Sequence, residues 1–108
     1  MQGVRRDWAT TKAWDLNAGE YMYRLKDDGT IGVWVRLPDD ANKNRGPLPL
    51  SGWSPVIHED GTLTLSPSIL VHSHDTIDRE TNERVTIPEW HGYLERGVWR
   101  ECRYGSPE

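Results

Sequence analysis

A turn pattern that recurs along the chain constrains the fold more than any other feature of the sequence. The three turns are Asp27-Asp28-Gly29, Glu59-Asp60-Gly61 and Glu95-Arg96-Gly97, each with strand-forming residues on both sides. Glycine accepts a positive φ angle at low cost and aspartate tolerates one, so such turns are typical of short β-hairpins. The pattern predicts three hairpins: residues 21–24 with 31–36, residues 53–57 with 62–65, and residues 90–94 with 98–102.

The segments between the hairpins differ in composition. Residues 38–51 are rich in Pro, Gly, Asp and Asn, which indicates an exposed connection. Residues 75–84 are charged and poor in apolar side chains, so we expect a solvated loop. Residues 68–72, introduced by Pro67, have the pattern of a short buried strand. We expect this strand to pair with residues 85–87 across the charged loop.

Short strands separated by glycine-centred turns, with almost no helical pattern, are typical of all-β domains. We therefore predict an all-β fold, a small antiparallel sandwich or partly open barrel built from the three hairpins. With 108 residues, the chain has the length of a single domain. We expect an N-terminal segment, residues 1–18, with room for one short helix, and a β core over residues 19–104.

The charge balance and the apolar pattern exclude several classes of partner. The chain carries 13 basic and 17 acidic side chains, a formal net charge of −4, so we do not expect nucleic acid as a partner. No apolar run approaches membrane-spanning length, and residues 1–14 lack the apolar stretch of a signal peptide. Cys102 is the only cysteine, which excludes an internal disulfide and favours a reducing compartment. We therefore expect a soluble, intracellular protein with no membrane partner.

Histidines form the most suggestive chemical group. His72 and His74 lie two residues apart at the end of a predicted strand, and alternate residues of a strand point to the same side. They can present two imidazoles to one ion, with His91 or Asp75 as a third ligand and Cys102 as a fourth. This zinc-site interpretation requires three of these side chains to lie about 2.0–2.3 Å from one ion. The alternative interpretation is that His72 and His74 are ordinary polar residues beside a charged loop.

Patterns typical of catalysis are weak. The adjacent carboxylates lie in predicted turns and loops, at Asp27-Asp28, Asp39-Asp40 and Glu59-Asp60. Turn geometry and solvation explain them, because general acid–base catalysis needs two groups aimed at one pocket. Ser66 and Ser68 lack the flanking glycines of a nucleophile elbow. We expect no enzymatic activity.

The six tryptophans supply either the core or a binding surface, because the chain has no phenylalanine. Trp34, Trp53, Trp90 and Trp99 lie in predicted strands, where we expect most of them in the core. Trp8 and Trp14 lie outside the predicted sheet and are candidates for contact with a partner. The candidate partner surface comprises Trp8, Trp14, Arg45, Trp53 and Trp90. A weaker interpretation, a platform for a carbohydrate or a nucleotide, needs two strand tryptophans exposed side by side.

Two segments of the chain carry a resemblance to a known family. The segment GTLTLSPSI, residues 61–69, is followed about twenty residues later by WHGYLERGVW, residues 90–99. This Thr-Leu-Ser-Pro-Ser-Ile strand with a later histidine-centred hairpin resembles a family of small phage and prophage proteins, common in actinobacterial hosts. The resemblance covers about residues 62–102.

The resemblance implies a biological setting rather than an activity. Many relatives carry cysteine pairs near the N-terminus and a Cys-His at the start of the hairpin, which looks like a zinc site. Here Trp90 precedes His91, and the N-terminal cysteine pairs are missing. We therefore expect a non-catalytic protein-binding module, in the virion or the host-cell cytoplasm, with a protein partner or self-association and no cofactor. The alternative is a zinc-binding domain, structural or hydrolytic, built on His72, His74 and His91.

Overall fold

The computed structural model describes residues 1–38, 46–78 and 80–102, and these residues form ten strands and one 3-10 turn. In chain order they are β1 Val4–Arg5, the 3-10 turn Ala13–Asp15, β2 Glu20–Leu25, β3 Ile31–Val35, β4 Leu48–Pro49, β5 Ser54–Ile57, β6 Leu63–Val71, β7 His74–Ile77, β8 Arg84–Ile87, β9 Trp90–Glu95 and β10 Val98–Glu101. The predicted all-β fold is confirmed, and the predicted N-terminal helix is reduced to the single 3-10 turn. In these ranges, no helix is long and apolar enough to span a bilayer.

The described strands form two four-stranded sheets and one two-stranded ribbon. The first sheet has the order β1-β2-β3-β4, and the second sheet has the order β10-β9-β6-β5. The ribbon consists of β7 and β8. Neighbouring strands are antiparallel, except that β1 runs parallel to β2. The two sheets contribute to one common core, so the domain is a small β-sandwich.

The core consists of the side chains that alternate strands direct between the two sheets. The first sheet contributes Tyr21, Tyr23, Val33 and Val35, and the second contributes Leu63, Leu65, Ile69, Trp90, Leu94 and Trp99. Trp90 and Trp99 meet edge to face, with ring centroids 5.8 Å apart and an interplanar angle of 83°. Large aromatic side chains bury much area each, so tryptophan and tyrosine supply the core volume that phenylalanine would otherwise provide.

The three predicted hairpins are β2–β3, β5–β6 and β9–β10. In the first turn, the Asp28 carboxylate accepts hydrogen bonds from the N–H and the hydroxyl of Thr30, at 3.0 and 2.6 Å. Asp60 accepts the same two bonds from Thr62, at the same two distances. The third turn, Arg96-Gly97, has positive φ angles of 46° and 76° at its two residues. That geometry is the type I′ turn, whose twist matches the strands of a hairpin.

Strand β6 is longer than the sequence predicts. It continues past Pro67, and its register against β9 shifts between Leu65 and Ile69. Proline has no N–H to donate to a neighbouring strand, but the ladder is already interrupted at such a register shift. The predicted pairing of residues 68–72 with residues 85–87 is therefore wrong, because β6 pairs with β9 and β8 pairs with β7.

Both predicted loops contain strand residues. Within residues 38–51, Leu48–Pro49 pairs with β3, and the Leu50 side chain is buried. Residues 39–45 of this connection lie outside the described residues. The charged segment 75–84 supplies most of β7 and the first residue of β8. Its charge does not prevent strand formation, because alternate side chains of a strand can remain in solvent.

The first six residues join the two sheets. Gly3 donates its N–H to the Gly97 carbonyl at 2.7 Å, and residues 1–3 run along the edge of β10. Arg6 then donates its N–H to the Tyr21 carbonyl at 2.8 Å, within the parallel pairing of β1 with β2. A Cβ atom on Gly3 would lie 2.6 Å from the Gly97 carbonyl oxygen. Only glycine allows this close approach of two backbones.

Candidate functional site

The outer face of the second sheet carries an open groove of about 790 Å³. Its lining includes Thr64, Ser66 and Ser68 of β6, Tyr93 of β9 and Arg100 of β10. These residues alternate with core residues along each strand, because successive side chains of a strand point to opposite faces. The fold therefore places a surface of hydroxyl, aromatic and charged groups directly behind the core.

Two histidines contact hydroxyl groups that line the groove. The Nε2 atom of His58, just after β5, lies 2.6 Å from the Thr64 hydroxyl oxygen. That oxygen also accepts a hydrogen bond from the Arg96 backbone N–H at 2.9 Å. The Nε2 atom of His91 lies 3.0 Å from the Ser68 hydroxyl oxygen. Each imidazole is therefore fixed by a strand hydroxyl, so both rings have defined positions before any ligand binds.

Charged side chains line the end of the groove near the third hairpin. Arg100 donates to the Glu95 carboxylate at 2.7 Å, and both side chains are exposed. Arg96 lines both the groove and a neighbouring depression of about 490 Å³ that also contains Asp60. Hydrogen bonds from Thr62 hold the pKa of the Asp60 carboxyl below its usual value, and the charge of Arg96 adds to the shift. Asp60 is therefore ionised at neutral pH, and this end of the groove carries charges of both signs.

An apolar cavity of about 300 Å³ adjoins the groove. We use this name for the depression lined by Gly52, Trp53, Pro67, Ser68 and Leu70. The indole N–H of Trp53 donates to the Ser68 carbonyl at 3.3 Å, which fixes the ring as one wall. Leu70 is exposed although it lies in a strand. Pro67 and Ser68 line both depressions, so the groove and the apolar cavity form one continuous surface.

The chemistry of this surface is suited to binding. The contact between Ser68 and His91 has the length of a bond between a nucleophile and its base. A hydrolytic site also needs a group that orients the base and donors that stabilise an oxyanion. Among the described hydrogen bonds, none is made by the second ring nitrogen of His91. The Ser68–His91 contact is a cross-strand hydrogen bond between β6 and β9.

The described residues among the predicted partner contacts differ in exposure. Trp14 on the 3-10 turn is exposed, and Trp8 is half-buried beside the backbone of Gly32. Trp53 is half-buried at the apolar cavity, and Arg45 lies outside the described residues. The assignment of Trp90 to the partner surface is wrong, because only 2% of this residue is exposed. Its position on β9 directs the indole into the core.

The structure does not bring the predicted zinc ligands together. His72 lies after the end of β6 and His74 begins β7, so the two are not alternate residues of one strand. The Nδ1 atom of His72 lies 3.7 Å from a Glu89 carboxylate oxygen, whereas His91 bonds Ser68 across the second sheet. Cys102 is half-buried beyond the end of β10. Among the described residues, no three His, Cys, Asp or Glu side chains form a group that could hold a metal ion.

The tryptophan platform is also not formed. Of the four tryptophans predicted in strands, Trp90 and Trp99 are buried, and Trp34 and Trp53 are half-buried. The exposed aromatic side chain on the second sheet is Tyr93. Tyr93 and His58 line the groove but were not among the predicted site residues. Strict alternation of residues 91, 93 and 95 on the face opposite the core was the signal that could have identified this surface.

Comparisons of the chain with protein-family models, with curated proteins and with solved structures found no match.

Proposed function

We propose that the chain is a non-catalytic β-domain of phage or prophage origin that binds another protein through the outer face of its second sheet. The observation that supports this proposal is the continuity of the groove with the apolar cavity at Pro67 and Ser68. Protein interfaces combine an apolar centre with polar surroundings, and tyrosine, tryptophan and arginine are enriched in them. Tyr93, Trp53 and Arg96 provide these three side-chain types on one face.

The chemistry of the surface favours an extended segment of the partner as the ligand. The apolar cavity has room for one aliphatic or aromatic side chain between Trp53 and Leu70. The groove presents hydroxyl groups at Ser66 and Ser68 and the ring of His58, which match the amide and carbonyl groups of an extended backbone. Arg96 has no side-chain ion pair within 4.0 Å among the described residues, so it is available for a carboxylate of the partner.

The phage or prophage setting is supported by where the resembling segments lie. Residues 61–69 form most of β6, and residues 90–99 form β9, the third turn and part of β10. These strands are neighbours in the second sheet and carry the groove. The resemblance therefore falls on the candidate binding face rather than being scattered over the chain.

Selection of peptides with matched surface variants tests the binding proposal. We would select binders from a random peptide library displayed on yeast and measure their affinity by calorimetry. Leu70→Ser and Tyr93→Ser alter the binding face, whereas Leu25→Ser alters an exposed leucine at the end of the first hairpin. We expect the first two variants to weaken binding at least about tenfold and Leu25→Ser to leave it unchanged. Equal affinity for all variants, or failure to select any binder, would contradict the proposal.

The proposed origin and location have their own tests. Capsid, tail or lysis genes on both sides of the coding gene would support a phage or prophage origin, and neighbours restricted to host metabolism would contradict it. Peptide mass spectrometry of purified particles and of infected-cell lysate distinguishes a virion component from a protein of the host-cell cytoplasm. Detection in particles supports the first location, and detection in lysate alone supports the second.

A further inference from the structure

The edge strands of the two sheets are poorly suited to pair with another chain. Strand β1 and strand β4 have two residues each, and β4 includes Pro49. Strand β5 includes Pro55, and the edge of β10 is occupied by residues 1–3. Short strands, prolines and covering segments are the features by which proteins prevent edge-to-edge association. Each described edge of the two sheets has one of them.

The position of Pro55 shows how this protection works. His58 donates its N–H to the Thr62 carbonyl at 2.9 Å, which makes residues 58 and 62 a hydrogen-bonded pair. Bonded and non-bonded pairs alternate along antiparallel strands. The pair Pro55–Leu65 is therefore non-bonded, and the missing N–H of Pro55 is on the open edge of the sheet. The proline removes a donor from that edge without weakening the pairing of β5 with β6.

Among the described residues, the ribbon has none of these protective features. Strands β7 and β8 contain neither proline nor glycine, and they include the β-branched residues Thr76, Ile77, Val85, Thr86 and Ile87. Among the described strands, β7 and β8 pair only with each other. Ile77 is 52% exposed. An isolated two-stranded hairpin is marginally stable in water, so it gains stability from an additional strand.

The alternation of hydrogen-bonded and non-bonded residue pairs along the ribbon determines which backbone groups face its open edges. Asp78 donates its N–H to the Glu83 carbonyl at 2.8 Å, so this pair is hydrogen-bonded. By alternation, the pairs Ile77–Arg84 and Asp75–Thr86 are non-bonded, and their backbone N–H and C=O groups point outward. The open edge of β8 therefore presents the donors and acceptors of Arg84 and Thr86. The open edge of β7 presents those of Asp75 and Ile77.

We propose that the chain associates with a second copy of itself by antiparallel pairing of β8 with β8 of that copy. With Val85 on the two-fold axis, Arg84 of one copy lies opposite Thr86 of the other, and each outward donor meets an outward acceptor. The pairing forms about four backbone hydrogen bonds and a four-stranded sheet. No like charges lie directly opposite each other, a condition that favours cross-strand pairing.

Strand β8 fits this role better than β7. The outward residues of β8 are arginine and threonine, whereas β7 presents Asp75, and aspartate is depleted in strands. The Asp75 carboxylate already accepts bonds from Arg84 and Thr86, at 2.9 and 2.8 Å, on the β7 side of the ribbon. Because the new contact is one short strand edge, we expect a weak dimer whose population rises with concentration.

Cysteine cross-linking tests the register. In a Cys102→Ser background, which leaves no other thiol, Val85→Cys places two cysteines on the two-fold axis in a non-bonded pair. Such pairs have Cα atoms about 4.5 Å apart, within the range of a disulfide. In the matched control Thr86→Cys, the two thiols are diagonal neighbours, and disulfides are excluded beyond about 7 Å. We expect at least about tenfold more oxidised dimer from Val85→Cys than from Thr86→Cys on a non-reducing gel. Thr76→Cys reports on the edge of β7, and cross-linking equal to that of Val85→Cys would overturn the assignment to β8.

Sedimentation measurements test the association itself. Thr86→Pro removes the outward N–H of β8 while leaving the bonded pair Thr76–Val85 of the ribbon in place. Thr86→Val is the control, since it also removes the hydroxyl but keeps the N–H. We would raise the protein concentration from about 10 µM to about 1 mM. We expect the average molar mass of the wild type and of Thr86→Val to rise, and that of Thr86→Pro to stay at the value of the monomer.

The two experiments cover the case in which Thr86→Pro does not fold, because the cysteine variants retain every backbone N–H. A wild-type chain that is monomeric over the whole range and whose Val85→Cys variant does not cross-link overturns the proposal. The ribbon is a different surface from the apolar cavity, so Leu70→Ser, which we expect to weaken binding there, is expected to leave the dimer intact. Failure of one proposal is thereby distinguishable from failure of the other.

Discussion

The indole N–H of Trp99 donates a buried 2.8 Å hydrogen bond to the backbone carbonyl of Gly19, and this bond connects the second sheet to the first. Trp99 lies on β10, and Gly19 immediately precedes β2. The neighbouring indole in the core, that of Trp90, has no hydrogen-bond partner among the described residues. Both tryptophans have 2% of their surface exposed and they contact each other. They are therefore a matched pair for measuring one hydrogen bond.

Replacement of each tryptophan by phenylalanine separates packing from hydrogen bonding. Both variants lose similar volume, but only Trp99→Phe leaves an acceptor of the first sheet without its indole donor. The Gly19 carbonyl retains a bond from the Val4 N–H at 3.2 Å, so the extra loss is limited. We expect Trp99→Phe to lower the free energy of unfolding by about 0.5–1.5 kcal/mol more than Trp90→Phe, as measured by urea denaturation. Equal losses would show that the indole bond contributes nothing.

Replacement of Gly3 tests the junction between the sheets. A methyl group at this position would lie 2.6 Å from the Gly97 carbonyl oxygen, so the N-terminal segment must move away from β10. We expect Gly3→Ala to lower the thermal midpoint and the free energy of unfolding, by about 1–3 kcal/mol. The control is Gly52→Ala, because a Cβ atom there meets nothing within 4 Å. A Gly3→Ala variant as stable as Gly52→Ala would show that the junction does not support the fold.

The lowered pKa values of two aspartates lead us to expect a loss of folding stability in acid. Hydrogen bonds from Thr30 and Thr62 hold the pKa values of Asp28 and Asp60 below the ordinary value of 3.8. A carboxyl with a lowered pKa stabilises the folded state above its unfolded pKa, and this contribution is lost as the pH falls through the folded pKa. We expect unfolding midpoints to decrease below about pH 4, and the double variant Asp28→Asn, Asp60→Asn to show a flatter profile there.

The adjacent residue Asp27 provides the control for this pH dependence. Asp27→Asn removes a carboxylate from the same turn but leaves both Thr30 bonds to Asp28 intact. Its acid profile is expected to follow that of the wild type. If Asp27→Asn flattens the acid profile to the same degree, the loss of stability in acid comes from net charge rather than from the turn hydrogen bonds.

The alkaline side of the stability profile depends on Tyr21. Burial raises the pKa of its phenol above 10.0, and a backbone hydrogen bond with Leu63 opposes the shift in part. The neutral phenol is the favoured form in the core, so its contribution is complete below about pH 10 and is lost as the pH rises through the folded pKa. We expect Tyr21→Phe to reduce the loss of stability above pH 10.0, monitored by circular dichroism. An unchanged alkaline profile would contradict a buried phenol.

The hairpins were predictable because their signals are local. Asp28-Gly29 and Asp60-Gly61 identify turns from adjacent residues, and the alternation of Tyr21, Tyr23, Val33 and Val35 identifies the buried face. The pairing of β6 with β9 involves residues 19 to 29 positions apart, and no short pattern reports it. The pairing predicted for residues 68–72 was wrong, because β8, the nearer strand in the sequence, pairs with β7, and the more distant β9 pairs with β6.

The binding face was less predictable than the fold. Trp90 was a predicted contact residue, but its side chain is buried in the core. Tyr93 was not predicted, although the alternation of residues along β9 places it on the outer face. His72 and His74 were grouped because they are close in sequence, but a change of strand separates their environments. His58 meets Thr64 only through the second hairpin, so its role depends on a contact formed after the turn closes.

The junction made by residues 1–3 has a consequence for the order of folding during synthesis. Gly3 is synthesised 94 residues before its hydrogen-bond acceptor, Gly97. Until the last hairpin emerges, the first residues have no partner at β10, and the second sheet lacks two of its four strands. Contacts between residues so far apart in sequence form slowly, because closing the loop between them costs conformational entropy before the contact stabilises the chain. The second sheet therefore stays unfinished until residues 90–101 have been synthesised, and their translation sets the earliest time at which the domain can close.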